Sequence, residues 1–310
     1  MQAGMKSLLT LTEMNRKEGR RNRSAPSAPG GWINGLIGMA LFSGSLPATR
    51  VAVLDLDPIF VTVARAATAG LLALFVLLIF KEKRPSGKNM YPLVIVALGV
   101  VVGFPLLSAL ALQYITSAHS IVFLGLLPLA TAAFGVLRGG EHPRPAFWLF
   151  SVAGSLLVIG YAVVHGFTAS PLGDVLMLGA IILCALGYAE GARLSKTLGG
   201  WQVISWALVL SLPVMLPLLW ICFPSSFAGV STGAWVGLAY VSLFSMFIGF
   251  IFWYRGLAEG GIAAVGQLQL LQPFLGLALA AILLHEKVST GMLGVTIGVM
   301  LCVAGSKKFS

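Results

Sequence analysis

Ten apolar stretches of roughly 20 residues each follow one another along this chain, and a hydrocarbon core of about 30 Å is crossed by helices of that length. They run over residues 32–50, 58–80, 91–114, 118–137, 146–165, 172–194, 201–223, 233–257, 262–284 and 290–305. In lipid a backbone must satisfy its own hydrogen bonds, so only helices and closed barrels span it. These stretches are continuous rather than alternating, which selects helices. Charged residues make up 10% of the chain, against about 25% in an average soluble domain. The predicted fold class is an all-α integral membrane protein.

The chain also lies over itself without a gap when shifted so that Pro128 falls on Pro273 and Glu141 on Glu286. The same register pairs Ala118 with Ala263, Leu126 with Leu271, Ala133 with Ala278, Leu156 with Leu301, Val158 with Val303 and Gly160 with Gly305. A duplicated unit explains this, with residues 32–165 as the first repeat and 172–306 as the second. Five helices per unit is an odd number, so the second unit enters the membrane from the opposite side. The expected architecture is therefore ten transmembrane helices as two inverted five-helix repeats, preceded by a disordered cytoplasmic tail over residues 1–31.

The net charge of +10 sorts by side. With the N-terminus inside, the tail, the loops after even-numbered helices and the inner ends of the sixth and eighth helices (Arg193 and Arg255) hold all Lys and Arg except Arg50, Lys287 and the intramembrane Arg65. The positive-inside rule then predicts a multi-pass protein of the cell inner membrane with both termini cytoplasmic. The basic balance reflects topology and anionic lipid, not nucleic acid. The tail holds no apolar run long enough for a cleaved leader, so the first helix is expected to act as the insertion signal.

The stretches AHSIVFLGLLPLATAAFGVLRGGE and IAAVGQLQLLQPFLGLALAAILLHEKVSTGMLGVTIGV each carry a central Pro, then a Glu at the helix end. In the second, a Gly-rich helix follows. With DPIFVTVARAATAGLLAL, they resemble the drug/metabolite transporter superfamily, EamA type. The first-half loop departs from the family's Leu-Gly-Glu, reading Gly139-Gly140-Glu141-His142-Pro143. The resemblance implies a polytopic carrier of small metabolites, often an exporter, and the intramembrane polar residues point to its amino-acid-exporting branch.

Those polar residues are few. Gln267, Gln269 and Gln272 place three amides in one apolar segment, where each needs a cavity or another helix to bond. At 100° per residue Gln269 and Gln272 share a face and Gln267 does not. Arg65, two turns inside the second helix, can grip a carboxylate or reach outward to Asp55 and Asp57. Glu190 is either a proton-coupling carboxylate or an ion-pair partner of Arg193. Tyr188, Trp206 and Trp253 offer stacking surfaces or ordinary packing, and His119 is a titratable candidate near the pathway. Pro128 and Pro273 read as hinges or packing kinks, and Gln113 and Tyr114 as parts of an outer gate.

Catalysis has no foothold: there is no phosphate loop, paired-His motif or nucleophile elbow. Cys184, Cys222 and Cys302 lie in apolar segments without zinc-ligand spacing. We expect no enzyme activity, no cofactor and no metal. The expected partners are a small-molecule substrate and the bilayer, with a monomer or homodimer as the assembly.

Overall fold

A computed structural model describes residues 29–111, 114–115, 123–164, 170–272, 274–275 and 290–310. Its rods in chain order are α1 (Pro29–Val53), α2 (Pro58–Ile79), α3 (Gly87–Val96 continuing through Ala97–Gly103 to Phe104–Ala111), α4 (Leu127–Gly139) and α5 (Pro145–Val164). They continue as α6 (Pro171–Leu198), α7 (Gly200–Ile221), α8 (Thr232–Gly260), α9 (Ile262–Leu271) and α10 (Thr290–Phe309). No strand occurs among the described residues. Six rods, α1 to α3 and α6 to α8, are long and apolar enough to cross a membrane, and three further apolar helices are shorter.

Local chemistry sets the ends. Pro58 opens α2 with its φ already helical, and the Asp57 carboxylate accepts the Ile59 and Phe60 N–H groups at 2.9 and 3.0 Å. Ser231 caps α8 by accepting the Ala234 N–H at 3.2 Å. Gly140 closes α4 with φ +67°, a left-handed conformation that glycine adopts without strain. The outward faces remain apolar: Leu71, Phe75 and Leu78 on α2, and Ile297, Met300 and Leu301 on α10, are exposed. Bands of this kind belong against lipid rather than water.

Packing follows the repeat. Under the shift that carries Pro128 to Pro273, α1 corresponds to α6, α2 to α7 and α3 to α8. The two extensive contacts α1 with α8 and α6 with α3 are then the same contact made twice, and the contacts α2 with α7 and α5 with α10 map onto themselves. Close approach in the α1–α8 pair depends on glycine, since a Cβ on Gly256 would lie 2.5 Å from the Gly35 nitrogen. Between α3 and α6, Gly99 meets Gly187 in the same manner, while Gly294 faces open space.

Two departures from regular helix also obey the repeat. Within α3 the Phe104 N–H donates to the Gly99 carbonyl, five residues back, and within α8 the Gly249 N–H donates to the Phe244 carbonyl. These wide π-type turns occupy corresponding positions, Ala97–Gly103 and Val241–Ile248. Such turns recur at functional sites because they widen the helix and redirect side chains. The simple spans expected from hydropathy contain no sign of them.

Candidate functional site

A cavity of about 150 Å³ lies where the two repeats meet. Three pairs of repeat-related residues line it: Val100 with Ser245, Pro105 with Phe250, and Leu127 with Gln272. Val100 and Ser245 sit in the two π-type turns. The approximate two-fold relation between the halves therefore passes through this space.

The wall divides by chemistry. Phe42, Tyr188 and Phe250 form an aromatic side, with ring centroids 4.9 Å apart for Phe42 and Phe250 and 6.0 Å for Tyr188 and Phe250. Trp253 backs this side, fully buried, 5.5 Å from Tyr188 and 6.1 Å from Phe42. Opposite chemistry comes from hydroxyls on α1, α2, α3 and α8, of which Ser245 donates to Ser45 at 2.9 Å. Arg65 completes the wall, about 10 Å along α2 from Pro58 at 1.5 Å per residue. Its Nε is buried without a hydrogen-bond partner, and no carboxylate lines the cavity among the described residues.

Of the three amides Gln267, Gln269 and Gln272, the last, just beyond the end of α9, alone lines the cavity. Gln267 is fully buried and accepts from the Ser151 hydroxyl of α5 at 2.8 Å, while Gln269 donates to Thr131 of α4 at 3.2 Å. Residues Gln267–Leu271 form a 3₁₀ turn, in which positions three apart eclipse, yet Gln269 and Gln272 still part: the first bonds α4 and the second faces the cavity. Trp206 is half-buried on α7, packed against the core and not on the cavity wall. Pro128 is the second residue of α4, where a missing N–H costs no intrahelical bond. Tyr114 is half-exposed beside Gly173 at the start of α6. His119, Gln113 and Pro273 lie outside the described residues.

Glu190 sits away from the cavity wall, at the end of the bundle where α4 finishes. It is fully buried and bonds the guanidiniums of Arg138, from the first repeat, and Arg193 at 2.8 Å. One turn beyond Arg138, Glu141 accepts the Ile262 and Ala263 N–H groups at 2.6 and 2.7 Å, capping α9. A carboxylate at a helix N-terminus meets both free donors and the positive end of the helix dipole. Together these contacts tie the first repeat to the second on the face that carries Arg138, Arg193 and Arg255. The capping role of Glu141 went unread in the sequence, although its recurrence as Glu286 marked the position.

At the opposite end Asp55 accepts the Ser231 N–H at 3.0 Å. Its carboxyl is held below the usual carboxylate range, first by the Ser231 side-chain hydrogen bond and then by the backbone one.

A cavity between duplicated helical units with an apolar outer surface is the architecture of a membrane transporter, and the relatives of this chain bear on that class. Residues 30–165 and 171–306 each match the EamA-like transporter family, and the chain belongs to that family and so to the drug/metabolite transporters of EamA type. It is 65% identical over 280 residues to the uncharacterized transporter YdeK of Bacillus subtilis, spanning 90% of this chain and 98% of that protein. An uncharacterized transporter of Archaeoglobus fulgidus is 24% identical over 257 residues, covering 80% of this chain and 87% of its own length. A solved crystal structure 17% identical to this chain superposes with a TM-score of 0.75, over 90% of this chain and 99% of that one, which establishes the shared fold.

Proposed function

We propose that this protein is a secondary transporter that moves small neutral or zwitterionic metabolites, amino acids among them, out across the cell inner membrane by alternating access. Ten helices as two inverted halves rock about the cavity, with both termini in the cytoplasm. The observation that carries this reading is the lining of one cavity by three repeat-related residue pairs. In carriers built from inverted repeats the cargo site lies where the halves meet, and exchanging the conformations of the halves opens it to one side and then the other. On this reading the network around Glu190 and Glu141, which joins the halves on the basic face, is the cytoplasmic closure.

The test is accessibility. Single cysteines replacing Ser245 and Thr49, in a chain freed of Cys184, Cys222 and Cys302, are treated with a membrane-impermeant thiol reagent from either side of sealed vesicles. Alternating access gives labelling from each side in turn, with a saturating cargo shifting the balance. Labelling from both sides at once, in every condition, would mark a channel and end the carrier reading.

A further inference from the structure

Among the described residues Arg65 is the one charged group on the cavity wall, and its surroundings describe what it lacks. The Nε is buried and unpartnered, and the polar groups that share the wall are uncharged: hydroxyls of Ser45, Thr49, Thr62, Ser108 and Ser245, and the Gln272 amide. Arg65 is half-buried, and a guanidinium drawn part of the way out of water without a counter-ion among the described residues is unfavourable, while its planar fork matches a carboxylate with two parallel hydrogen bonds. The same wall carries Phe42, Tyr188 and Phe250, which accept a flat apolar group by edge or face contact. A free volume of about 150 Å³ holds one benzene-sized ring.

We propose that the cargo is an amphiphilic monocarboxylate, its carboxylate on Arg65 and its ring or branched apolar end against Phe42, Tyr188 and Phe250. This rests on the carrier reading and redraws its substrate class around the carboxylate, keeping amino acids and adding monoanions without an ammonium. The ammonium of an amino acid is accommodated by hydroxyls but is not required, because no carboxylate among the described residues of the wall pairs with it. An amine without a carboxylate brings a second positive charge into the space that Arg65 already occupies, and the cavity rejects it. A dianion leaves one charge uncompensated and is rejected likewise.

Three probes of one shape separate these cases: 3-phenylpropionate, L-phenylalanine and phenethylamine. Binding to the purified full-length protein in detergent is measured by titration calorimetry, and exchange by counterflow in liposomes. The wild type should bind 3-phenylpropionate and L-phenylalanine within tenfold of one another and phenethylamine at least tenfold more weakly than either. Arg65→Gln should lose at least tenfold in affinity for both carboxylates with its thermal unfolding unchanged, and Arg65→Lys should recover part of the loss. Equal or tighter binding of phenethylamine, no binding of either carboxylate to the wild type, or an Arg65→Gln protein that binds 3-phenylpropionate as well as the wild type would each overturn the proposal. The ligand series on the wild type stands even if a variant fails to fold. Binding without counterflow leaves the site in place and defeats the carrier reading, whereas counterflow of the amine with Arg65 irrelevant defeats the site and spares the carrier.

Discussion

Glu190 and Arg65 are both charges carried inside an apolar bundle, and the fold treats them in opposite ways. Glu190 has no exposure and two guanidiniums, one from each repeat. Arg65 faces a cavity with no carboxylate on its wall among the described residues. A buried charge stripped of partners is unfavourable, so a fold that keeps one either supplies the counter-charge itself or leaves the place to a ligand. On that contrast Glu190 is read as a joint between the halves, and Arg65 as a seat.

The largest expected effect tests the joint. Replacing Arg138 and Arg193 together by Ala leaves the Glu190 carboxylate buried and alone, and the expected loss is about 3 kcal/mol, the low end for a broken buried pair because both arginines are partly exposed to water. Denaturant unfolding in detergent measures it. Adding Glu190→Gln to the double variant should restore much of the loss by removing the stranded charge. If it does not, packing rather than charge holds that end together and the contrast with Arg65 dissolves.

Next in size is Glu141→Ala. It removes two charge-assisted hydrogen bonds to the N-terminus of α9, for an expected loss of about 2 kcal/mol by the same unfolding measurement. The contact joins the repeats on the same face as the Glu190 joint, so this variant should also increase labelling of a cavity cysteine from the basic side. Lower stability with unchanged labelling would make Glu141 a helix cap with no part in closing that face.

Much of this contrast was legible before any coordinates, for a physical reason. A charge in an apolar run is rare enough that Arg65 and Glu190 stood out on composition alone, and Arg193 lay three residues from Glu190 on one helical face. The duplication was legible because proline and glutamate are scarce in such segments, so Pro128 over Pro273 and Glu141 over Glu286 carry information that matched leucines do not. What sequence did not yield depended on distant neighbours or on irregular backbone. Arg138 reaches Glu190 from 52 positions away, and Glu141 meets α9 from 121 away. The 100° step separates Gln267 from Gln269, which bond α5 and α4, but it also puts Gln269 with Gln272, and Gln272 is the one that lines the cavity. The paired π-type turns had no local signal beyond Gly99, Gly103 and Pro105, yet they bring Val100 and Ser245 to the cavity.

The smallest effect sharpens the comparison from outside the bundle. Asp55 also joins the two repeats, accepting from Ser231 at the N-terminus of α8, but it does so in full contact with water. Its carboxyl is held below the unfolded value near about 3.9 by those hydrogen bonds, so the folded state favours the ionised form. Stability from this contact is therefore fully present above the unfolded value and is lost as pH falls through the lower folded one. Thermal unfolding of the wild type and Asp55→Asn, compared between pH 6 and pH 3, should show a small advantage for the wild type that shrinks toward the acid end. An advantage as large as that of the Glu190 joint would mean that water does not compete at Asp55. Exposure would then not be what separates a weak joint from a strong one.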